Sequence, residues 1–171
     1  MQHESRLALL LLALAGVAIN GLAPANATGA QSHNRERLTD WTAVSTTAMG
    51  ITGDVQVGEH EMIINETHRY RITKIRNLTA REVGETKELT ADSTLQEWVL
   101  YKIDIPASTK LNNGNTICGH QSATRVIISR GPAYGAEELS LIFFPGSREP
   151  FFEGWRESQS GVCGSFGYTH N

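Results

Sequence analysis

Trp98-Val99-Leu100-Tyr101-Lys102-Ile103-Asp104-Ile105 is the stretch that decides the fold. Successive side chains of an extended chain point to opposite faces. Val99, Tyr101, Ile103 and Ile105 therefore share one face, and Trp98, Leu100, Lys102 and Asp104 share the other. Pro106 follows at once and ends the run, because it has no N–H to give to a ladder. This pattern predicts a strand with at least one face in a core.

The same period recurs on both sides of it. Val55 and Val57 flank Gln56, and Tyr70 and Ile72 alternate with Arg69, Arg71 and Thr73. Val126–Ile128 and Leu139–Phe144 are apolar runs of strand length, and Val162, Gly164, Phe166 and Tyr168 alternate with smaller or polar residues. Turn residues separate these runs: Gly58-Glu59, Asn113-Gly114 (a pair suited to φ > 0), Gly131-Pro132 and Pro145-Gly146. The expectation is a mainly-β fold, a single small antiparallel barrel or sandwich of about eight strands. A helical turn is expected only within 86–97, and another within the leader at 34–38.

The N-terminus reads as an export signal. Met1–Arg6 is short and polar, Leu7–Ile19 is apolar throughout, and Ala25-Asn26-Ala27 fits a signal-peptidase site. The apolar run would rise only about 20 Å as a helix against a hydrocarbon core of about 30 Å. The expected organisation is a cleaved signal at 1–27, a flexible leader at 28–41 and one β domain at 42–171. No second long apolar run exists, so no membrane span is expected after processing. The charge is −3, with 15 Lys and Arg against 18 Asp and Glu. That balance offers no reason to expect a nucleic acid or an anionic membrane as partner.

Cys118 and Cys163 are the only cysteines. Two thiols in an exported chain pair by default, and closing the long loop between them stabilises by roughly 4 kcal/mol in the chain-entropy model. The rival readings, a catalytic Cys beside His120 or a zinc site, lack the further ligands or partners that such chemistry needs.

Catalytic patterns are absent. There is no G-x-S-x-G, P-loop or G-x-G-x-x-G. His60-Glu61 opens like a zinc-protease motif, but Ile64 stands where the second His belongs. His33, His60, His68, His120 and His170 show no ligand spacing. No catalytic residue, cofactor or metal is expected.

Two features point to a partner instead. Arg69, Arg71, Lys74 and Arg76 lie in nine residues without an acid, followed by the acid-rich stretch 81–104. The plain reading is that they face each other across a sheet; the functional one is a docking face for a charged protein or glycan. All five Phe lie between Phe143 and Phe166. Core packing is the plain account of that cluster, but Phe151-Phe152 must point to opposite faces. Phe151, Phe152 and Trp155, with Arg69 and Arg71, are therefore the candidate partner-binding residues. Asn65-Glu66-Thr67 and Asn77-Leu78-Thr79 match glycosylation acceptors, which matter only in a eukaryotic secretory pathway.

Several segments carry a resemblance: Ala48-Met49-Gly50-Ile51-Thr52-Gly53-Asp54, Leu100-Tyr101-Lys102-Ile103, Asn113-Gly114-Asn115-Thr116-Ile117-Cys118-Gly119, Leu139-Ser140-Leu141-Ile142-Phe143-Phe144 and Cys163-Gly164-Ser165-Phe166-Gly167-Tyr168. In that order the chain resembles a group of short exported bacterial proteins over most of residues 43–169. The resemblance implies export and a small fold, and no activity. In architecture alone the chain is similar to periplasmic lysozyme inhibitors, small exported barrels whose motif pairs a Ser-Gly-rich loop with Tyr-x-Cys-x-x-Gly. Thr116-Ile117-Cys118-Gly119 lacks that Tyr, and no matching loop is present.

The sequence thus favours an exported, non-enzymatic binding module, periplasmic or extracellular. Its alternatives are an inhibitor of a lytic enzyme such as lysozyme, a hydrolase with a site assembled by the fold, and a small-ligand carrier with an open barrel mouth.

Overall fold

In a computed structural model, residues 36–86, 97–133, 135–147, 149–151 and 161–170 are described. They form nine strands: β1 Thr39–Ala43, β2 Val55–Val57, β3 Glu61–Ile64, β4 His68–Arg71, β5 Thr73–Asn77, β6 Glu97–Ile105, β7 Ala123–Ala133, β8 Ala136–Pro145 and β9 Gly164–His170. Every pairing is antiparallel, in the order β4-β3-β2-β1-β9-β8-β7-β6-β5. The fold is mainly β and antiparallel, as the alternation predicts; of the barrel and sandwich that the sequence left open it is a near-closed barrel, with nine strands for the expected eight or so.

Two bent strands close it. β4 and β5 stand at opposite ends of the sheet order yet are joined through Ile72 alone. One continuous segment thus pairs first with β3 and then with β6, its corner held by the Ile72 N–H donating to the His60 carbonyl at 2.8 Å. β1 does the same on the other side: Thr39–Trp41 pair with β2, and Thr42–Ala43 pair with β9. β1 starts inside the stretch expected to be leader, and Trp41 is buried in the core. One apolar residue between polar neighbours is too short a pattern to reveal a strand. The part of 34–38 that is described, 36–38, is not helical.

The barrel interior is filled by side chains. Val57, Met62, Ile72, Val99, Tyr101, Ile103, Val126, Ile128, Leu141, Phe143, Phe166 and Tyr168 make one buried cluster. Phe143 and Phe166 meet edge to face at 5.5 Å. Tyr168 completes the packing by a 2.6 Å hydrogen bond between its hydroxyl and that of Thr52, and burial drives its pKa far up despite this bond.

Two turns differ from expectation. Gly131-Pro132 lies within β7, and the β7–β8 turn comes at Gly135, which has φ 90°. β6 begins with Glu97 opposite Arg130, so Pro132 lies beyond that strand and its missing N–H breaks no bond to it. The β3–β4 turn is Asn65-Glu66, both at positive φ. This is the twist that tight hairpins need, but Glu is a poor marker of it. Asn113 and Gly114 adopt positive φ as their types suggest.

The disulfide joins Cys118, in the β6–β7 connection, to Cys163, one residue before β9, with Cα atoms 4.7 Å apart. Among the described residues no helix is long and apolar enough to cross a membrane. The expected signal, and the helical turn sought at 87–96, lie outside the described residues.

Candidate functional site

The β6–β8 sheet is apolar on both faces. Trp98, Leu100, Ile127, Ile142 and Phe144 form a second buried cluster on its outer side, with Leu78, Val83, Phe151 and Val162 packed over them. The register puts Leu100 beside Ile127 and Ile127 beside Ile142. A face this apolar must be covered, and a short helix, α1 Ala80–Thr86, supplies part of the cover through Val83.

Local chemistry starts that helix. The Thr79 hydroxyl accepts the Glu82 N–H at 3.3 Å, and the Glu82 carboxylate accepts the Thr79 N–H at 2.8 Å, a reciprocal capping box. Thr-x-x-Glu is legible in the sequence and was the signal to use; the helix ends where a turn was expected to begin. Arg76 then ties α1 to the sheet. It donates to both Glu82 oxygens at 2.8 Å and to Glu149 at 3.4 Å. Burial pushes the Glu82 pKa up, but the Arg76 guanidinium and the Thr79 donors outweigh it and hold the carboxyl below its ordinary value. The bond to Glu82 raises the Arg76 pKa.

Beside this cover lies a groove of about 440 Å³, lined by Asn77, Leu78, Val83, Glu97, Trp98, Arg130 and Gly131. Trp98, Leu78 and Val83 supply its apolar side. Glu97 and Arg130, 3.5 Å apart, supply a charged rim. A second groove of about 370 Å³ lies along β1 and β2, lined by residues that include Asp40, Asp54, Gln56 and Glu66. Asp54 accepts the Ala43 N–H at 2.9 Å, and Asp40 accepts from the Gln56 amide at 2.6 Å, so both carboxylates hold the fold. No described histidine lines either groove. No group of His, Cys, Asp and Glu among the described residues could hold a metal ion.

The candidate residues from sequence separate in space. Phe151 packs against the outer cluster, at φ 67°, a backbone region uncommon for a bulky residue. Phe152 and Trp155 lie outside the described residues. Arg69 and Arg71 sit on β4, where Arg69 pairs with Glu61 and Arg71 stands opposite Glu61 in register. The basic segment does meet the acid-rich stretch strand to strand, because β5 pairs with β6, but in that register Lys74 stands opposite Tyr101 and Arg76 opposite Leu100. Arg76 reaches an acid of that stretch, Glu82, through α1.

Three segments that carry the resemblance meet at one end of the barrel. The side chains of Asn113 and Asn115 donate to the Gly50 carbonyl at 3.3 and 3.0 Å. Thr52 meets Tyr168, and Cys118 is bonded to Cys163. Gly53, at φ 61°, holds a backbone conformation that side chains rarely adopt, and a Cβ there would also press on the Asn112 amide at 2.9 Å. These motif residues lock two loops to β9, and their roles here are structural. No protein-family model, curated protein or solved structure matches this chain.

Proposed function

We propose that the chain is an exported, non-enzymatic binding module that holds a protein partner on the outer face of its barrel, at the groove beside Trp98. One observation carries the reading: the interior is filled, while the outer face of the same strands offers an apolar groove with a charged rim. A filled barrel leaves a small-molecule carrier no chamber. A hydrolase would need an acid–base pair in a cleft, and His60 and His120 line neither groove. Apolar contact with a charged border is the composition that protein partners use.

Export rests on the Met1–Ala27 pattern and on the disulfide, which suits an oxidising compartment. Cell fractionation with N-terminal sequencing tests it: the expected mature start is Thr28, and an intact chain in the cytoplasm refutes export. For binding, the folded protein is used to capture partners from an envelope extract beside a Val83→Glu variant. A partner retained by wild type and lost by the variant supports the groove. Equal retention by both, or none, counts against it. A lysozyme inhibition assay on the same preparations addresses the inhibitor alternative.

A further inference from the structure

We propose that the outer face carries a phosphate-binding site at Lys102 and Arg125. In the β6–β7 register these two residues stand directly opposite each other. They share the face of Trp98, Leu100 and Ile127, at the end where the apolar cluster stops. Like charges placed opposite each other on neighbouring strands destabilise a sheet. Among the described residues nothing neutralises this pair. Arg125 donates from Nη1 to the Thr124 carbonyl at 2.9 Å and from Nη2 to the Ser147 carbonyl at 3.5 Å. Its buried Nε–H has no acceptor. Carbonyls orient a guanidinium without cancelling its charge. Lys102 is exposed and makes no ion pair among the described residues; Asp104, on the same β6 face, bonds to neither cation. On the other side of Lys102 stands Thr73 of β5. Three adjacent strands thus set a threonine, a lysine and an arginine in one row.

Charge selects the ligand class. A phosphate monoester, or free phosphate, carries about −1.5 to −2 at pH 7 and several acceptor oxygens, enough to answer both cations at once. A carboxylate answers one. The site lies away from the residues that line the Trp98 groove, so it goes beyond the proposed partner surface and stands or falls without it.

The test is thermal unfolding of the whole chain in sodium phosphate, phosphoserine or sodium acetate at matched ionic strength, for wild type and Lys102→Gln. Phosphate is expected to raise the wild-type Tm by roughly 2–4 °C at saturation, and acetate to leave it unchanged. In acetate, Lys102→Gln is expected to melt no lower than wild type, because the repulsion is gone, and to lose the phosphate response. Phosphoserine matching phosphate points to a phosphorylated macromolecule; a response to phosphate alone points to the free ion. An equal rise in acetate, an undiminished phosphate response in Lys102→Gln, or a variant that melts below wild type in acetate overturns the site. Amide shifts in a phosphate titration must also centre on Thr73, Lys102 and Arg125, and shifts confined elsewhere overturn it too.

Discussion

Phe143 and Phe144 are neighbours in the chain and both are buried, yet they belong to different cores. Phe143 points into the barrel and meets Phe166; Phe144 points out, among Leu100-side residues covered by Phe151 and Val162. The inner core closes on itself, since each strand supplies part of the wall. The outer one depends on cover brought by a short helix and a connecting segment, held by Arg76 to Glu82 and Glu149. Closure costs nothing beyond the sheet, whereas a cover depends on a few polar contacts and ends at an edge. That edge is where the Trp98 groove lies.

The two cores are expected to respond differently when cut. Phe143→Ala is expected to cost about 3–5 kcal/mol in urea unfolding, as a large cavity in a closed core does. Phe144→Ala is expected to cost less, because a cover held by a few polar contacts can settle into the gap. Equal losses would show that both faces form one rigid unit. Next in size is removal of the disulfide: Cys118→Ser with Cys163→Ser should lower stability by about 2–4 kcal/mol. The whole barrel should lose it, seen as one coincident transition by far- and near-UV dichroism. A separate early transition would confine the staple to one end.

Cutting the clasp tests the cover alone. Arg76→Ala is expected to cost about 1–2 kcal/mol, through charge-assisted bonds to a carboxylate that is largely buried. Glu82 has its pKa lowered in the fold, so its contribution is present above the ordinary carboxylate range and is lost as pH falls through the folded value. The stability gap between wild type and Glu82→Gln should accordingly be open at neutral pH and narrow under acid. A gap that stays constant with pH would assign the effect to packing. The smallest change is Thr79→Ala, worth about 1 kcal/mol as the loss of a helix cap. Hydrogen exchange should speed in α1 and leave the inner strands unaltered; faster exchange in β6 and β7 would join the two cores.

Much of the inner core was legible. Val99, Tyr101, Ile103 and Ile105 alternate over a full strand, and all are buried. The outer core was harder to see, although Trp98 and Leu100 alternate equally well. Two apolar residues followed by Lys102 and Asp104 read as a half-exposed face, because the cover comes from residues distant in the chain. On the outer face, residue type alone drew attention to Phe151, which packs in the cover and is not among the residues that line the groove, while Leu78, Val83, Glu97 and Arg130 gave no signal. Nothing local distinguishes a Leu that lines a groove from one that fills a core. The Thr79–Glu82 capping box, by contrast, was local and readable.

What the amino-acid sequence determined by itself is what depends on neighbours in the chain. It set the strand period, the stop at Pro106, the positive φ at Asn113-Gly114 and the pairing of the only two cysteines. Only the tertiary structure decided which face is wall and which is surface, that β4 and β5 form one continuous segment closing the barrel, and that Lys102 faces Arg125. Alternation sorts side chains into two sets within a few residues. Which set meets the core, and which charges meet each other, depends on a register between strands more than twenty residues apart.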